Sequence, residues 1–145
     1  MAVDMKGVFI TGTDTDVGKT FISSAILRSL VNGGLSVAGL KPIASGFEVV
    51  DGQWTNSDVS ALTAASNVEL PEQRVNRYGF KPAIAPHIAA QQDGVLLDFG
   101  LIKQDFEYAA NRSSFVLVEG VGGWYVPLSD PVSYTHLTLP TILLV

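Results

Sequence analysis

The stretch GVFITGTDTDVGKTFISSAILRSL, residues 7–30, decides the fold. Its first five residues are a short β-branched and aromatic run that stops at a glycine, which predicts a buried strand. Residues 18–30 then follow the spacing of one apolar helical face, and the motif NGG at 32–34 is a helix stop. The residues of that face are Phe21, Ile22, Ala25, Ile26 and Leu30. A glycine-rich loop therefore joins a strand to a helix.

This loop, GTDTDVGKT at residues 12–20, has the features of a phosphate-binding loop. Glycines allow successive backbone N–H groups to converge on phosphate oxygens, and the helix that follows directs its positive end at the same anion. Lys19 would contact the β- and γ-phosphates, and the hydroxyl of Thr20 would bind Mg²⁺. Thr13 replaces the first glycine of the common G-x-x-x-x-G-K-[ST] pattern, so the loop is a variant. The expected phosphate-binding residues are Gly12, Thr13, Asp14, Thr15, Asp16, Val17, Gly18, Lys19, Thr20 and Phe21.

Two acidic side chains lie inside this anion-binding loop. Asp14 and Asp16 are compatible with two interpretations. Aspartate forms turns through side-chain hydrogen bonds to its own backbone, which requires no function. Alternatively, Asp16 meets Mg²⁺ or its water shell, or orients a substrate amine.

Strands and helices alternate along the remaining chain. Residues 35–40 and 114–118 predict strands, 55–65 a helix that begins at the N-cap residues TNSD, and 71–86 an irregular connection. Residues 88–110 predict helix with a break near Gly94 or Gly100. The strands are apolar without in/out alternation, which is typical of parallel strands covered on both faces. We expect an α/β fold of three layers, a mostly parallel sheet flanked by helices, of the P-loop NTPase-like type.

Composition restricts the classes of function. The 145 residues are 47% hydrophobic and 16% charged, with a net charge of −5. Without a run of Lys or Arg, no nucleic-acid or anionic-membrane partner is expected. The absence of cysteine excludes disulfides and thiol chemistry. With no signal peptide and no apolar stretch of ~18 residues, we expect a cytoplasmic protein.

Polar residues follow the predicted strands at the sheet edge where ligands of open α/β folds bind. Lys41 follows the second strand, Asp58 opens the next helix, and Glu119 follows the strand at 114–118. Each has a plain structural alternative, as a solvated lysine, a helix-start charge and a surface turn residue. Together with Thr20, however, the two carboxylates are a suitable ligand set for Mg²⁺. His87, in the irregular connection, is interpreted as a packed or capping histidine.

With these residues identified, the chain resembles dethiobiotin synthetase. The resemblance is carried by TGTDTDVGKT, AGLKPIASG, NSD, APHIAA and VLVEGVGGWYVPLSD, which occur in the order and spacing of that family. It covers roughly residues 5–130. The segments KPIASG and VEGVGGWYVPLSD are specific to this family and its near relatives.

The resemblance implies that ATP, with Mg²⁺, joins CO₂ to 7,8-diaminononanoate and closes a cyclic urea, giving dethiobiotin, ADP and phosphate. It further implies that Lys41 and Lys19 are catalytic, and that Ser45 and Thr15 contact the substrate. The implied metal set is Thr20, Asp58 and Glu119. The implied backbone lining of the pocket is Glu119, Gly120, Val121 and Gly122. Family members are homodimers, so we expect the same of a full-length form.

The resemblance weakens after Asp130, where PVSYTHLT replaces the family's acidic and aromatic helical segment. We therefore expect a synthetase domain at 1–130, the N-terminal part of the family fold, and an anomalous tail at 131–145. Our hypothesis is a truncated or mis-joined reading frame with a partly non-native tail. The resemblance implies that residues for adenine recognition and dimer contact lie further on, so activity of this chain alone is an open expectation.

Three alternatives stay open at this point. One is an amidating synthetase related to the cobyrinate diamide enzymes. Another is a P-loop ATPase switch of the partition or septum-site type, although Thr13 and Asp14 stand where those proteins carry an early lysine. The third is a nucleotide-binding fragment without catalysis.

Overall fold

The computed structural model describes residues 7–124, 126–129 and 132–133. Its strands are β1 (Gly7–Ile10), β2 (Val37–Leu40), β3 (Ile43–Ser45), β4 (Glu48–Val50), β5 (Gln53–Thr55), β6 (Tyr78–Phe80), β7 (Phe115–Glu119), β8 (Pro127–Ser129) and β9 (Val132–Ser133). Its helices are α1 (Lys19–Asn32), α2 (Ser57–Ala65), α3 (Glu72–Val75), α4 (Pro86–Gln92) and α5 (Phe99–Ala110). Apart from residues 132–133, the anomalous tail predicted at 131–145 lies outside these residues, and the proposed domain boundary at 130 stays a prediction.

A parallel sheet in the order β1-β7-β2 forms the centre of the fold. Ile10 pairs with Glu119, and Leu40 pairs with Val118, so the three strands end at nearly the same level. Smaller pairs extend from this centre: β3 with β6 is parallel, whereas β4 with β5 and β8 with β9 are antiparallel. The register brings the segments that follow β1, β2 and β7 to one edge of the sheet.

Helices cover both faces of the central sheet, as predicted for a three-layer α/β fold. On one face, Leu27 of α1 and Leu62 of α2 pack with Leu117. On the other, Ala109 of α5 packs with Val116 and Val118. All these side chains are essentially inaccessible to solvent. The alternating members of β7 thus fill two separate hydrophobic layers, which explains why its sequence is apolar throughout.

The predicted apolar face of α1 is wrong in part. Phe21 is 78% exposed and Ile22 is 52% exposed, whereas Ser23 and Leu27 are fully buried. Helix α1 meets the sheet at Gly39, where a β-carbon would lie 2.8 Å from the Leu27 side chain. Because glycine leaves this space to Leu27, the buried stripe runs through residues 23 and 27 rather than through Phe21.

The segment 71–86, predicted to be irregular, contains α3 and β6. Both are very short, and tertiary contacts stabilise them. The carboxylate of Asp105 in α5 is 2% exposed and accepts hydrogen bonds from Arg74, at 2.7 Å, and from Arg77. This buried ion pair connects the segment to the helical layer, a long-range contact that sequence periodicity does not reveal. The break between α4 and α5 falls at 93–98, which confirms the predicted interruption near Gly94.

Candidate active site

The phosphate loop connects β1 to α1 in the predicted position. Gly18 has φ 97° and is the N-cap of α1, so it offers no side chain to the first turn of the helix. The positive end of α1 is therefore left for an anion. Asp16 also adopts a left-handed conformation, with φ 59°, which aspartate tolerates better than most residues.

Hydrogen bonds within the loop support the turn-forming interpretation for Asp14. Oδ1 of Asp14 accepts from the N–H of Thr15 at 2.7 Å, which is turn chemistry. The Asp14 carbonyl accepts from the ammonium of Lys19, also at 2.7 Å. Lys19 therefore folds back over its own loop, with its ammonium against the backbone of Asp14.

A second lysine lies at the end of β2. The ammonium of Lys41 donates to Oδ2 of Asp58 at 2.8 Å and to Oε1 of Glu119 at 2.7 Å. Lys41 is 3% exposed and Glu119 is 0% exposed. The alternatives of a solvated lysine and a surface glutamate are thus wrong. Asp58 lies in the first turn of α2, so it is a helix-start charge and a partner of Lys41 at once.

Thr20 completes this group from α1. Its hydroxyl donates to Oε1 of Glu119 at 2.7 Å, across 99 positions of sequence. The other oxygen, Oε2 of Glu119, is buried and has no hydrogen-bond partner within the described part of the chain. An unpaired buried carboxylate oxygen is costly unless a donor or a cation reaches it. The donor set therefore fits a hard cation such as Mg²⁺.

The carboxylates do not form a complete metal site by themselves. Among the residues that the structure describes, no cluster of three or more His, Cys, Asp or Glu is arranged to hold a metal ion. Mg²⁺ in proteins is commonly bound by one or two carboxylates together with waters and substrate phosphates. The predicted set of Thr20, Asp58 and Glu119 has the composition of such a shared site.

Charges of both signs shift the titration of this group. Burial lowers the pKa of Lys19, and the neighbouring Lys41 ammonium lowers it further, against the opposing effect of Glu119 and Asp58. Burial alone would raise the pKa of Asp58, but the Lys41 ammonium and hydrogen bonds from Lys41 and Thr20 outweigh it and lower that pKa. Asp58 is therefore held in its ionised form.

A cavity of about 600 Å³ lies over these side chains. The predicted site residues among its described lining are Asp14, Thr15, Asp16, Gly18, Lys19, Thr20, Phe21, Lys41, Ser45, Asp58, Val121 and Gly122. The others, Gly12, Thr13, Val17, Glu119 and Gly120, are not among the lining residues described. Glu119 is connected to the lining by the hydrogen bonds that it accepts from Lys41 and Thr20. The structure thus brings both lysines and all three proposed metal ligands together.

Other parts of the lining were missed by sequence reasoning. The segment before and at the start of α4 forms one wall, with Ala83, Ile84, Ala85 and Pro86. Gly123, Val126 and Pro127 form another. A β-carbon on Gly123 would lie 2.8 Å from the carbonyl oxygen of Thr13, so only glycine lets the loop after β7 rest on the phosphate loop. The motif APHIAA, residues 85–90, was the sequence feature that could have indicated that residues 83–86 line the cavity. His87 itself is partly buried, and its Nδ1 has no hydrogen-bond partner among the described residues.

The three-layer fold and its glycine loop define the P-loop NTPase-like class. The profile of the family described as "AAA domain" matches residues 6–144. The match covers more than half of the chain, and the protein belongs to this family. Within the described segments, no helix has both the length and the apolar character needed to cross a bilayer.

Two curated relatives are similar over most of the chain. The "ATP-dependent dethiobiotin synthetase BioD" of Photobacterium profundum is 46% identical over 121 residues, which are 83% of this chain and 55% of that protein. The protein of the same name from Aromatoleum aromaticum is 43% identical over 141 residues, which are 94% of this chain and 63% of that protein. The resemblance to dethiobiotin synthetase is thereby confirmed. The chain spans somewhat more than half the length of these relatives.

Proposed function

We propose that this chain carries the phosphate-handling part of an ATP-dependent dethiobiotin synthetase. The observation that carries the proposal is the buried arrangement of Lys41 between Asp58 and Glu119, beside a phosphate loop and a cavity of about 600 Å³. The names of both curated relatives agree with it. They do not favour a partition-type switch, since each relative is named as a synthetase.

The proposed reaction begins when one amine of 7,8-diaminononanoate takes up CO₂ as a carbamate. A carbamate oxygen attacks the γ-phosphorus of ATP, and ADP leaves. The second amine then attacks the carbonyl carbon of the mixed anhydride, phosphate leaves, and the cyclic urea of dethiobiotin is formed. No protein nucleophile is required, so catalysis consists mainly of positioning and charge stabilisation.

The two lysines would stabilise the negative charge that the reacting groups concentrate. Lys19 lies on the phosphate loop, and Lys41 lines the same cavity from the end of β2. Cations held in place before the reaction stabilise a transition state without having to reorganise. Ser45 also lines this cavity, and its hydroxyl has no hydrogen-bond partner in the described structure, which suits a substrate-binding role.

Thr20, Asp58 and Glu119 would hold Mg²⁺, with the buried Oε2 of Glu119 as the free acceptor. When bound, Mg²⁺ would neutralise charge on the phosphate oxygens. The hydrogen bonds from Lys41 and from the Thr20 hydroxyl both end on Oε1 of Glu119, which leaves Oε2 for the cation.

A homodimer of the full-length form, working in the cytoplasm, is part of the same proposal. Val17, Phe21 and Ile22 are exposed by 50%, 78% and 52%, next to the cavity. Adjacent exposed apolar side chains commonly mark a protein interface. Sedimentation of the full-length form tests this: a dimer that Ile22→Lys converts to monomer supports the proposal, whereas a monomer at all concentrations contradicts it.

The direct test is an assay of the whole chain with Mg-ATP, bicarbonate and 7,8-diaminononanoate, in which dethiobiotin is measured by mass spectrometry and ADP is measured in parallel. We expect ADP and dethiobiotin in equal amounts, and neither when the diamine is omitted. Lys41→Met serves as the inactive control. ADP formation that is independent of the diamine would contradict the synthetase assignment. Stabilisation by Mg-ATP without product would indicate a nucleotide-binding fragment.

A further inference from the structure

Asn56 is a buried residue whose carboxamide faces two different parts of the site. It is 7% exposed and is the N-cap of α2. Its Oδ1 accepts from the N–H groups of Asp58, at 3.1 Å, and Val59, at 3.2 Å. Its Nδ2 donates to the carbonyl oxygen of Ser45, also at 3.1 Å. One side chain therefore connects the start of α2 to the end of β3.

The start of α2 and the end of β3 carry side chains with different proposed roles. Asp58, two residues along the chain from Asn56, holds the ammonium of Lys41 and lines the cavity. Ser45 lines the same cavity from β3, and the chain turns away immediately after it at Gly46, where φ is 79°. Ser45 is in strand β3 and Asp58 is in helix α2, so no strand pairing joins them. The Asn56 carboxamide bridges them by hydrogen bonds.

We propose that Asn56 is a positioning residue, which sets the substrate-side Ser45 relative to Asp58 and Lys41. The inference deepens the proposed synthetase function and rests on it. In this proposal Asn56 does not contact the substrate or the phosphates itself. It acts through Ser45 and Asp58, which line the cavity. An asparagine suits this task because its carboxamide has an acceptor at one end and a donor at the other.

Substitution of the Asn56 carboxamide can separate its role as a helix cap from its role as a bridge to Ser45. Ser, Asp and Asn are all good N-cap residues, because each has an oxygen that accepts from the first-turn N–H groups. A serine is too short to reach the Ser45 carbonyl as well, and an ionised aspartate has no hydrogen to donate. Asn56→Ser and Asn56→Asp therefore keep the cap and lose the bridge.

Asp98 provides a matched control. It is the N-cap of α5, and its Oδ1 accepts from the N–H groups of Gly100, at 2.8 Å, and Leu101, at 3.3 Å. It has the same capping function as Asn56, but the N–H groups it caps belong to residues outside the described lining of the cavity, whereas Asn56 bonds to Ser45 and Asp58, which are part of that lining. Asp98→Ala removes a cap without disturbing the bridge.

The test is steady-state kinetics of the whole chain with Mg-ATP and 7,8-diaminononanoate, supported by melting temperatures. We expect Asn56→Ser and Asn56→Asp to raise KM for the diamine by roughly ten- to hundredfold, the range found when supporting residues of a site are removed. KM for ATP should be unchanged, because both variants keep the cap of α2 that holds Asp58 of the proposed metal set. Asp98→Ala should lower the melting temperature and leave both KM values unchanged.

The result that overturns the inference is equally clear. If Asn56→Ser has the wild-type KM for the diamine, or if it raises both KM values equally, then Asn56 is only a helix cap. Failure of both Asn56 variants to fold, while Asp98→Ala folds, would also overturn the inference, because the hydrogen bond to Ser45 would then be a requirement for folding and not a device that positions the site.

Hydrogen exchange distinguishes this failure from failure of the synthetase function itself. Loss of the bridge should speed amide exchange in residues 43–47 in Asn56→Ser, with α2 unchanged, and Asp98→Ala should leave 43–47 unchanged. This readout needs no turnover. If wild-type protein forms no dethiobiotin yet the exchange pattern appears, the proposed function fails and the bridge stands. Turnover in wild type with unchanged exchange in Asn56→Ser would refute the bridge alone.

Discussion

The ammonium of Lys41 and Oε1 of Glu119 lie 2.7 Å apart, and the two side chains are 4% and 0% exposed. A buried charge pair is costly to desolvate, so it survives only when both partners are present and hydrogen-bonded. Glu119 also accepts from Thr20, and Lys41 also donates to Asp58. The pair is thus the centre of a network that connects α1, β2, β7 and α2.

Lys41→Met should destabilise the protein strongly. Removing one partner leaves the carboxylate of Glu119 buried without its cation, which costs roughly 3–5 kcal/mol. Urea denaturation in metal-free buffer measures the free energy of unfolding. The control is Lys103→Met, because Lys103 pairs with Glu107 at 3.7 Å on the exposed face of α5. That change should cost no more than about 0.5 kcal/mol. Equal losses in the two variants would contradict the importance of the buried pair.

Thr20→Val should weaken Mg²⁺-dependent turnover while preserving the fold. Valine has nearly the shape of threonine but cannot donate to Glu119 or bind a cation. We expect the Mg²⁺ concentration for half-maximal ADP formation to rise roughly ten- to hundredfold, and Thr20→Ser to restore most of the activity. The measurement is a Mg²⁺ titration at saturating ATP. A Thr20→Val variant with the wild-type Mg²⁺ requirement would remove Thr20 from the metal set.

The ionisation of Asp58 should appear in the acid stability of the protein. Its pKa is lowered in the folded state because the Lys41 ammonium, with hydrogen bonds from Lys41 and Thr20, outweighs the effect of burial. The contribution of Asp58 to stability is therefore complete above the unfolded pKa of about 3.9, and it is lost as the pH falls through the lower folded pKa. We expect the difference in unfolding free energy between wild type and Asp58→Asn to be constant above about pH 5 and to shrink in acid. A difference that stays constant throughout the acid range would contradict this assignment.

Gly123→Ala should displace the phosphate loop. The new β-carbon would lie 2.8 Å from the carbonyl oxygen of Thr13, closer than such contacts allow. ATP binding, measured by calorimetry, should weaken by roughly tenfold or more, in line with the sensitivity of such sites to small displacements. Gly33→Ala is the control, because its nearest contact is 3.3 Å at the far end of α1. Equal ATP affinities in the two alanine variants would show that the Gly123 contact does not matter.

The sequence predicted the central parts of the fold because they rely on local signals. The strand–glycine–helix order of residues 7–30, the start of α2 within TNSD and the apolar β7 are all found as expected. Parallel strands that end at one level then explain why Lys41 and Glu119 meet. The resemblance to a family's motifs added the expected substrates, which the fold alone does not indicate.

The parts that sequence reasoning missed depend on contacts between distant residues. Whether Phe21 or Leu27 faces the sheet is decided by the missing β-carbon of Gly39, which helical periodicity cannot reveal. The very short β6 is recognisable only through its pairing with β3. Likewise, nothing in the local sequence shows that Gly123 rests against Thr13. Periodicity locates elements, whereas packing decides which of their faces are used.

The middle position of β7 has a consequence for how the protein is made. Strands β1 and β2 both pair with β7, which begins more than seventy residues after β2 ends. During synthesis, the phosphate loop and Lys41 therefore emerge from the ribosome before their shared neighbour exists. The central sheet can form only once β7 has been made, so folding depends on non-local contacts and is expected to be slow. The network of Thr20, Lys41 and Glu119 can be completed only after that late strand has inserted between the two early ones.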